Sequence, residues 1–177
     1  MTTITMHPKS RQVINVLQIT DPHLFADSDG SLLGLNTEQS LRAVIRAALS
    51  GKPSPDLVLA TGDLVHDGTP AAYRRVFDHL ERLGLPVYCL AGNHDEAATL
   101  QHTLDSSRLH YVPYLQQGNW LFIFLDSTLA GSEGGHLDRQ ALESLDRLLA
   151  AAPDRHALVC LHHQPVLMGS RWLDTMA

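Results

Sequence analysis

Five short apolar runs, each closed by a turn, limit most strongly what this chain can become. They are Val13 to Ile19, Leu57 to Thr61, Val87 to Leu90, Trp120 to Leu125 and Ala157 to Leu161. Their length and their content of β-branched and aromatic residues suit buried strands. Amphipathic segments separate them. Asn36 caps one in which Leu41, Val44, Ile45, Ala48 and Leu49 recur at helical spacing, with Gln39 three residues past the cap and Gly51-Lys52-Pro53 at its end. Thr69 caps a second, with Pro70 at its first position and Tyr73, Val76, Phe77 and Leu80 as the buried stripe. A third helix over 137–149 is expected to bury Leu142, Leu145, Leu148 and Leu149. Strand and helix in alternation predict an α/β fold. Residues 24–36, with Asp27, Asp29, Gly30 and Gly34, are expected to form an irregular surface loop. Residues 1–12 are expected to be an N-terminal extension to one domain over 13–177.

Composition narrows the partners. At 177 residues and 44 % hydrophobic content the chain can bury one sizeable core. Its net charge of −6 supplies no field for holding a long polyanion, so nucleic acid is not an expected partner. A small phosphate ester stays compatible, because bound cations supply positive charge locally. Cys89 and Cys160 each fall inside an apolar run and are expected as reduced core thiols. No apolar stretch approaches the ~20 residues of a membrane span, and residues 1–12 lack a signal-peptide core. A cytoplasmic protein with no membrane partner is therefore expected.

Four of the five runs end at groups suited to divalent metals. Asp21 and His23 follow the first, Asp63 the second, Asn93 and His94 the third, and His162-His163 the fifth. In α/β folds ligands gather outside the carboxyl ends of the strands, so these residues are expected to share one sheet edge. Carboxylate, imidazole and amide oxygen suit manganese, iron, zinc or magnesium, and no cysteine lies at these turns. Asp63, alone in its turn, is the natural bridge between two cations, since a carboxylate placed between them offsets their repulsion. Gly62 and Gly92 stand directly before Asp63 and Asn93, where the backbone must turn sharply. At the fifth run either histidine could be the ligand. Asp67 precedes Gly68 and is expected to make a tight turn, with orientation of the Asp63 turn as the other role; Asp95 is expected to hold His94 in its working tautomer. His7, His66, His79, His102, His110, His136 and His156 have no partner evident from spacing and are expected to be mostly solvated.

In order along the chain, Asp21-x-His23, Gly62-Asp63-(x)3-Asp67, Gly92-Asn93-His94-Asp95 and His163-x-Pro165 resemble the calcineurin-like metallophosphoesterases. Within that superfamily, 17–25, 62–65 and 169–174 look like the bacterial class III cyclic-nucleotide phosphodiesterases. The resemblance implies a layered αββα sandwich with mixed sheets flanked by helices, lacking its C-terminal strands. It implies two divalent metal ions, iron or manganese foremost, with zinc, cobalt and magnesium also accommodated. Asp21, His23 and Asp63 would bind one, and Asp63, Asn93 and His163 the other, with His162 as the fallback. Asn93 and His94 would face the substrate, and His94 would act catalytically by contacting the phosphate and protonating the departing ribose oxygen. Such enzymes end a further strand in Gly-His-x-His, a motif these 177 residues do not contain. Either the chain is a truncated form of a longer protein, in which case weaker metal binding is expected, or the missing ligands come from elsewhere, such as a neighbouring subunit. The implied activity is hydrolysis of 3′,5′-cyclic AMP, a small-molecule cyclic nucleotide, to 5′-AMP by a metal-activated hydroxide. Other phosphodiesters, a phosphomonoester, or a catalytically impaired metal- or nucleotide-binding module are the alternatives. A homodimer is one assembly the resemblance allows.

Overall fold

A computed structural model describes residues 13–175, so the extension expected at 1–12, with His7, lies outside the described residues. The chain divides into two compact units, Ile14–Tyr111 and one from Val112 onward.

The first unit is built on a wholly parallel sheet. Its strands are β1 (Val16–Ile19), β4 (Leu57–Thr61), β5 (Val87–Leu90) and β6 (Leu109–His110), adjacent in that order. The register sets Ile19 against Ala60, and Ala60 against Cys89. Parallel neighbours need crossovers, and here α1 (Thr37–Leu49) and α2 (Pro70–Glu81) provide them. The carboxyl ends of β1, β4 and β5 consequently lie along one edge. Every residue of β4 is buried, as its unbroken apolar run requires of a central strand. Both helices start at their expected caps: the Asn36 side chain accepts from Gln39 N, and Thr69 from Ala72 N. Leu41 and Ile45 of α1 and Tyr73, Val76, Phe77 and Leu80 of α2 join the core around Val58, Ala60 and Cys89. A short helix, α3 (Ala97–Thr103), precedes β6. The segment expected to be irregular contains a hairpin, β2 (Ser31–Leu32) with β3 (Leu35–Asn36). Its two-residue loop is Leu33-Gly34, both at positive φ, the geometry that closes tight hairpins. Leucine at that first position concealed the turn.

The second unit holds a three-stranded sheet, β7 (Tyr114–Gln117), β8 (Trp120–Phe124) and β9 (His156–Cys160). It is mixed, β7 antiparallel and β9 parallel to β8. The α/β class is thus as expected, with one mixed sheet and one wholly parallel sheet. Helix α4 (Arg139–Ala150) is more exposed than its spacing predicts: Leu145 and Leu148 pack with Leu137 against Leu121, Ile123 and Leu125, whereas Leu142 is 47 % and Leu149 38 % exposed. Nor is β9 a buried run. Among the described residues it pairs with β8 alone, as an edge strand, and Leu158 and Val159 are more than a third exposed.

The two cysteines are reduced and buried as expected. Burial pushes the Cys89 thiol up to about 12 and the Cys160 thiol up to about 11, so neither carries a reactive thiolate near neutrality. No helix among the described residues is long and apolar enough to cross a membrane.

Candidate functional site

Beyond β1 and β4 the two chains continue side by side as an irregular ladder. Asp21 N donates to Gly62 O (3.1 Å), His23 N to Asp63 O (3.0 Å), Leu24 N to Leu64 O (3.1 Å), and His66 N returns a bond to Leu24 O (2.9 Å). Leu24, Leu64 and Val65 anchor this ladder, fully buried. Between the strands and the anchors the backbone turns left-handed. Among the described residues only four non-glycine positions have positive φ, and three of them are Asp21 (53°), His23 (44°) and Asp63 (49°). Each such residue stores strain that the surrounding ladder must hold. Three strained residues, all of them polar and all on neighbouring loops, mark a functional site rather than a set of ordinary turns.

The strain brings side chains together. A ligand atom from each of Asp21, His23 and Asp63 lies within 4.8 Å of the others. His23 Nε2 is 3.5 Å from Asp63 Oδ2 and 3.9 Å from Asp21 Oδ1. Burial lowers the His23 pKa; Asp63 and Asp21 oppose that and His94 and His66 add to it, so the ring is neutral near pH 7, the form that ligates metals. Asp63 is 4 % exposed, and with Asp21 it places two carboxylates where a cation would relieve their repulsion. Carboxylate and imidazole oxygens and nitrogens around one point fit a divalent metal ion of the manganese, iron, zinc or magnesium kind.

The third loop joins through the backbone. His94 N donates to Asp63 Oδ1 at 2.9 Å, which pins the turn carrying Asn93 onto the Asp63 carboxylate. Asp95 does not orient the His94 ring. Its carboxylate accepts instead from Gly92 N (2.9 Å), Leu64 N (3.1 Å), Val65 N (3.3 Å) and the Tyr73 hydroxyl (3.0 Å), tying the 62–66 and 92–95 turns to α2. Burial raises the Asp95 pKa, and these four donors work against that rise. Asp67 makes the expected turn, accepting from the Thr69 N–H and hydroxyl, and also receives Ala26 N.

His66 is the residue that spacing alone missed. Its Nδ1 stands 3.5 Å from His23 Nδ1, its ring stacks on His94 with centroids 4.8 Å apart, and the Phe25 ring lies tilted against it with centroids 4.7 Å apart. His23, His66 and His94 thus form a second group of potential metal-binding atoms sharing His23. The available signal was its position three residues after Asp63, in the same strained ladder. His79 is likewise not solvated, since its Nε2 meets Glu38 Oε1 at 2.8 Å.

His163 belongs to the second unit. It is buried, its Nδ1 shares a 2.8 Å hydrogen bond with Ser127 Oγ, and its backbone N–H donates to the same hydroxyl at 3.3 Å. The fourth cluster is therefore not on the edge of the parallel sheet: it follows β9, which pairs with β8. His162, beside it, is half-buried. Gly135 gives the His163 ring its place, because a Cβ there would lie 2.4 Å from both Cβ and Cγ of His163. Those atoms cannot swing away cheaply. Gly135→Ala is expected to lower the unfolding free energy by about 1–3 kcal/mol, the usual penalty of overpacking, read from the urea midpoint; an unchanged midpoint would show that this contact is soft.

Comparison with known proteins bears on the site. A family model described as calcineurin-like phosphoesterase matches residues 14–176. The chain is 39 % identical over 166 residues to the 3′,5′-cyclic adenosine monophosphate phosphodiesterase CpdA of Vibrio vulnificus, covering 93 % of this chain and 61 % of that protein. It is 36 % identical to the CpdA of Pseudomonas aeruginosa, over 94 % of this chain and 61 % of the relative. Against the CpdA of Escherichia coli K12 the figures are 39 % identity, 91 % and 59 %. The chain spans about three-fifths of the length of the curated relatives it matches.

Proposed function

The chain belongs to the calcineurin-like phosphoesterase family, and from that premise we propose that it is a two-metal phosphodiesterase acting on 3′,5′-cyclic AMP. The observation that carries this reading is the convergence of Asp21, His23 and Asp63 through three left-handed residues. In it, Asp21, His23 and Asp63 would hold one divalent ion, and Asp63 and Asn93 would be the first unit's ligands to the other. Within the second unit, Ser127 engages His163 Nδ1, so Nε2 is the nitrogen that His163 would offer to a metal. When bound, such ions supply Lewis acidity toward phosphoryl oxygens and a lowered pKa for water.

The protein's own side chains do the rest. Asp63 would neutralise part of the charge of both ions and, through the bond it accepts from His94 N, fixes where the third loop presents its residues. His66 stacks on the His94 ring and steadies it. Asn93 and His94 face the phosphate, and His94 delivers a proton to the departing ribose oxygen. The choice of cyclic AMP rests on the names of the relatives; a small phosphodiester is what the donor set itself supports.

Calorimetric titration with Mn²⁺ and assays on 3′,5′-cyclic AMP, 2′,3′-cyclic AMP and a glycerophosphodiester test this reading. Mn²⁺ uptake with chelator-sensitive turnover of 3′,5′-cyclic AMP is expected. Turnover of the other diesters alone would reject the substrate, uptake without turnover would mark a binding module, and no uptake would reject the metal centre.

A further inference from the structure

A cavity of about 490 Å³ opens beside the carboxyl end of β1, within the first unit. Asp21 and His23 contribute to its lining, so a ligand there sits next to the candidate metal centre. The remainder is dominated by apolar side chains of the 31–35 hairpin and α1, and no lysine or arginine is among the lining residues. Three of those side chains are large and left in water: Leu33 is fully exposed at the hairpin tip, Leu35 is 58 % and Val44 55 % exposed. Leu33 is also the fourth non-glycine residue of positive φ, so a bulky apolar group is held at a strained position beside the site. One polar atom is out of balance. Thr37 lines the cavity and is 6 % exposed, yet its hydroxyl has no hydrogen-bond partner. A buried hydroxyl without a partner is destabilising, and native structures carry few of them.

The chemistry of an occupant follows. It must be tethered to a phosphate at the Asp21 and His23 end, since those residues share the lining. It must bury apolar surface against Leu33, Leu35 and Val44, which a glycerol or a second phosphate does not. Its apolar part must also carry a hydrogen-bonding edge to satisfy Thr37. A size of several hundred cubic ångströms, mostly apolar walls and few polar groups are the usual marks of a small-molecule pocket. We propose that this cavity is the nucleobase subsite of a nucleotide phosphoester, with the Thr37 hydroxyl bonding the edge of the base. It rests on the phosphodiesterase reading and adds to it the group that tells a nucleotide from other diesters.

Titration of the Mn²⁺-loaded chain with AMP and with ribose 5-phosphate, the same phosphate without a base, separates the two ideas. AMP is expected to bind at least about tenfold more tightly, a difference of roughly 1.4 kcal/mol. Val44→Arg, a change at an exposed helical position that fills the cavity, is expected to bring AMP down to the affinity of ribose 5-phosphate. Thr37→Val is expected to weaken AMP binding while raising the melting temperature of the metal-free chain by a few degrees, about what removal of one unpaired buried hydroxyl gives. Equal affinities in the parent chain, or a preference that survives Val44→Arg, would overturn the subsite and leave the metal centre standing. An unaltered preference in Thr37→Val would remove the threonine from the proposal. If neither ligand binds, the metal-centre reading fails first and the subsite with it.

Discussion

Asp63→Asn is expected to lose Mn²⁺ binding and to reduce turnover of 3′,5′-cyclic AMP by at least about a thousandfold, while the metal-free variant melts no lower than the parent. The kinetic side follows from the several kcal/mol that metal ions contribute to phosphoryl transfer, since Asp63 would lie on both ions. The stability side follows from three local facts. Asparagine tolerates the φ of 49° that Asp63 adopts. Its amide oxygen can still accept the 2.9 Å bond from His94 N. Without a cation, loss of the Asp63 charge relieves its repulsion with Asp21, whose carboxylate belongs to the same 4.8 Å cluster. Asp63→Ala is the contrasting variant: it strands the His94 N–H and places a β-carbon residue without side-chain compensation at positive φ, so it is expected to lose both metal and stability. Calorimetric titration, a cyclic-AMP assay and scanning calorimetry of the metal-free forms provide the three readouts. An Asp63→Asn protein that still takes up Mn²⁺ and turns over substrate at near the parental rate would end the bridging assignment.

The ends of the strands were the legible part of this site. Periodicity located β1, β4 and β5, and parallel pairing through two capped helices then placed Asp21, His23, Asp63, Asn93 and His94 along a single edge. What periodicity carries no information about is the backbone beyond a strand. His66 enters the histidine group because the left-handed residues at 21, 23 and 63 let the two loops run in parallel for four more hydrogen bonds. Nothing in the composition around residue 66 announces that. His162 and His163 followed an apolar run as convincingly as the other clusters did, yet a run does not say which sheet it joins, and β9 joined β8. The same limit applies to burial. Leu142 and Leu149 fall on a helical stripe, but α4 covers only the narrow face of Leu121, Ile123 and Leu125, and the flanks of the stripe stay exposed.

Asp95 supplies the sharpest division between a role inferred from spacing and one observed. Standing next to His94, it was expected to orient that ring; the structure makes it the tie between two turns and a helix. The two roles predict different damage. If Asp95 acted on His94, Asp95→Asn or Asp95→Ala would slow catalysis with little change in stability. As a half-buried carboxylate accepting three backbone N–H bonds and one tyrosine hydroxyl, it should instead be needed by the fold: Asp95→Ala strands donors at Gly92, Leu64 and Val65 and is expected to lower the unfolding free energy by about 3–5 kcal/mol. Against a total of roughly 5–15 kcal/mol for a domain, that is enough to unfold much of the chain on modest warming. Asp95→Asn, which keeps one acceptor oxygen but turns an NH₂ toward the remaining donors, should recover only part of the loss. Tyr73→Phe offers an independent check, because the Tyr73 hydroxyl both donates to Asp95 and accepts from Glu96 N at 2.8 Å. If Asp95 is the tie, Tyr73→Phe and Asp95→Ala together should cost less than the sum of the two single losses, since they share one network. Urea unfolding of the metal-free single and double variants measures this directly. A stable Asp95→Ala chain with impaired turnover would return Asp95 to the service of His94.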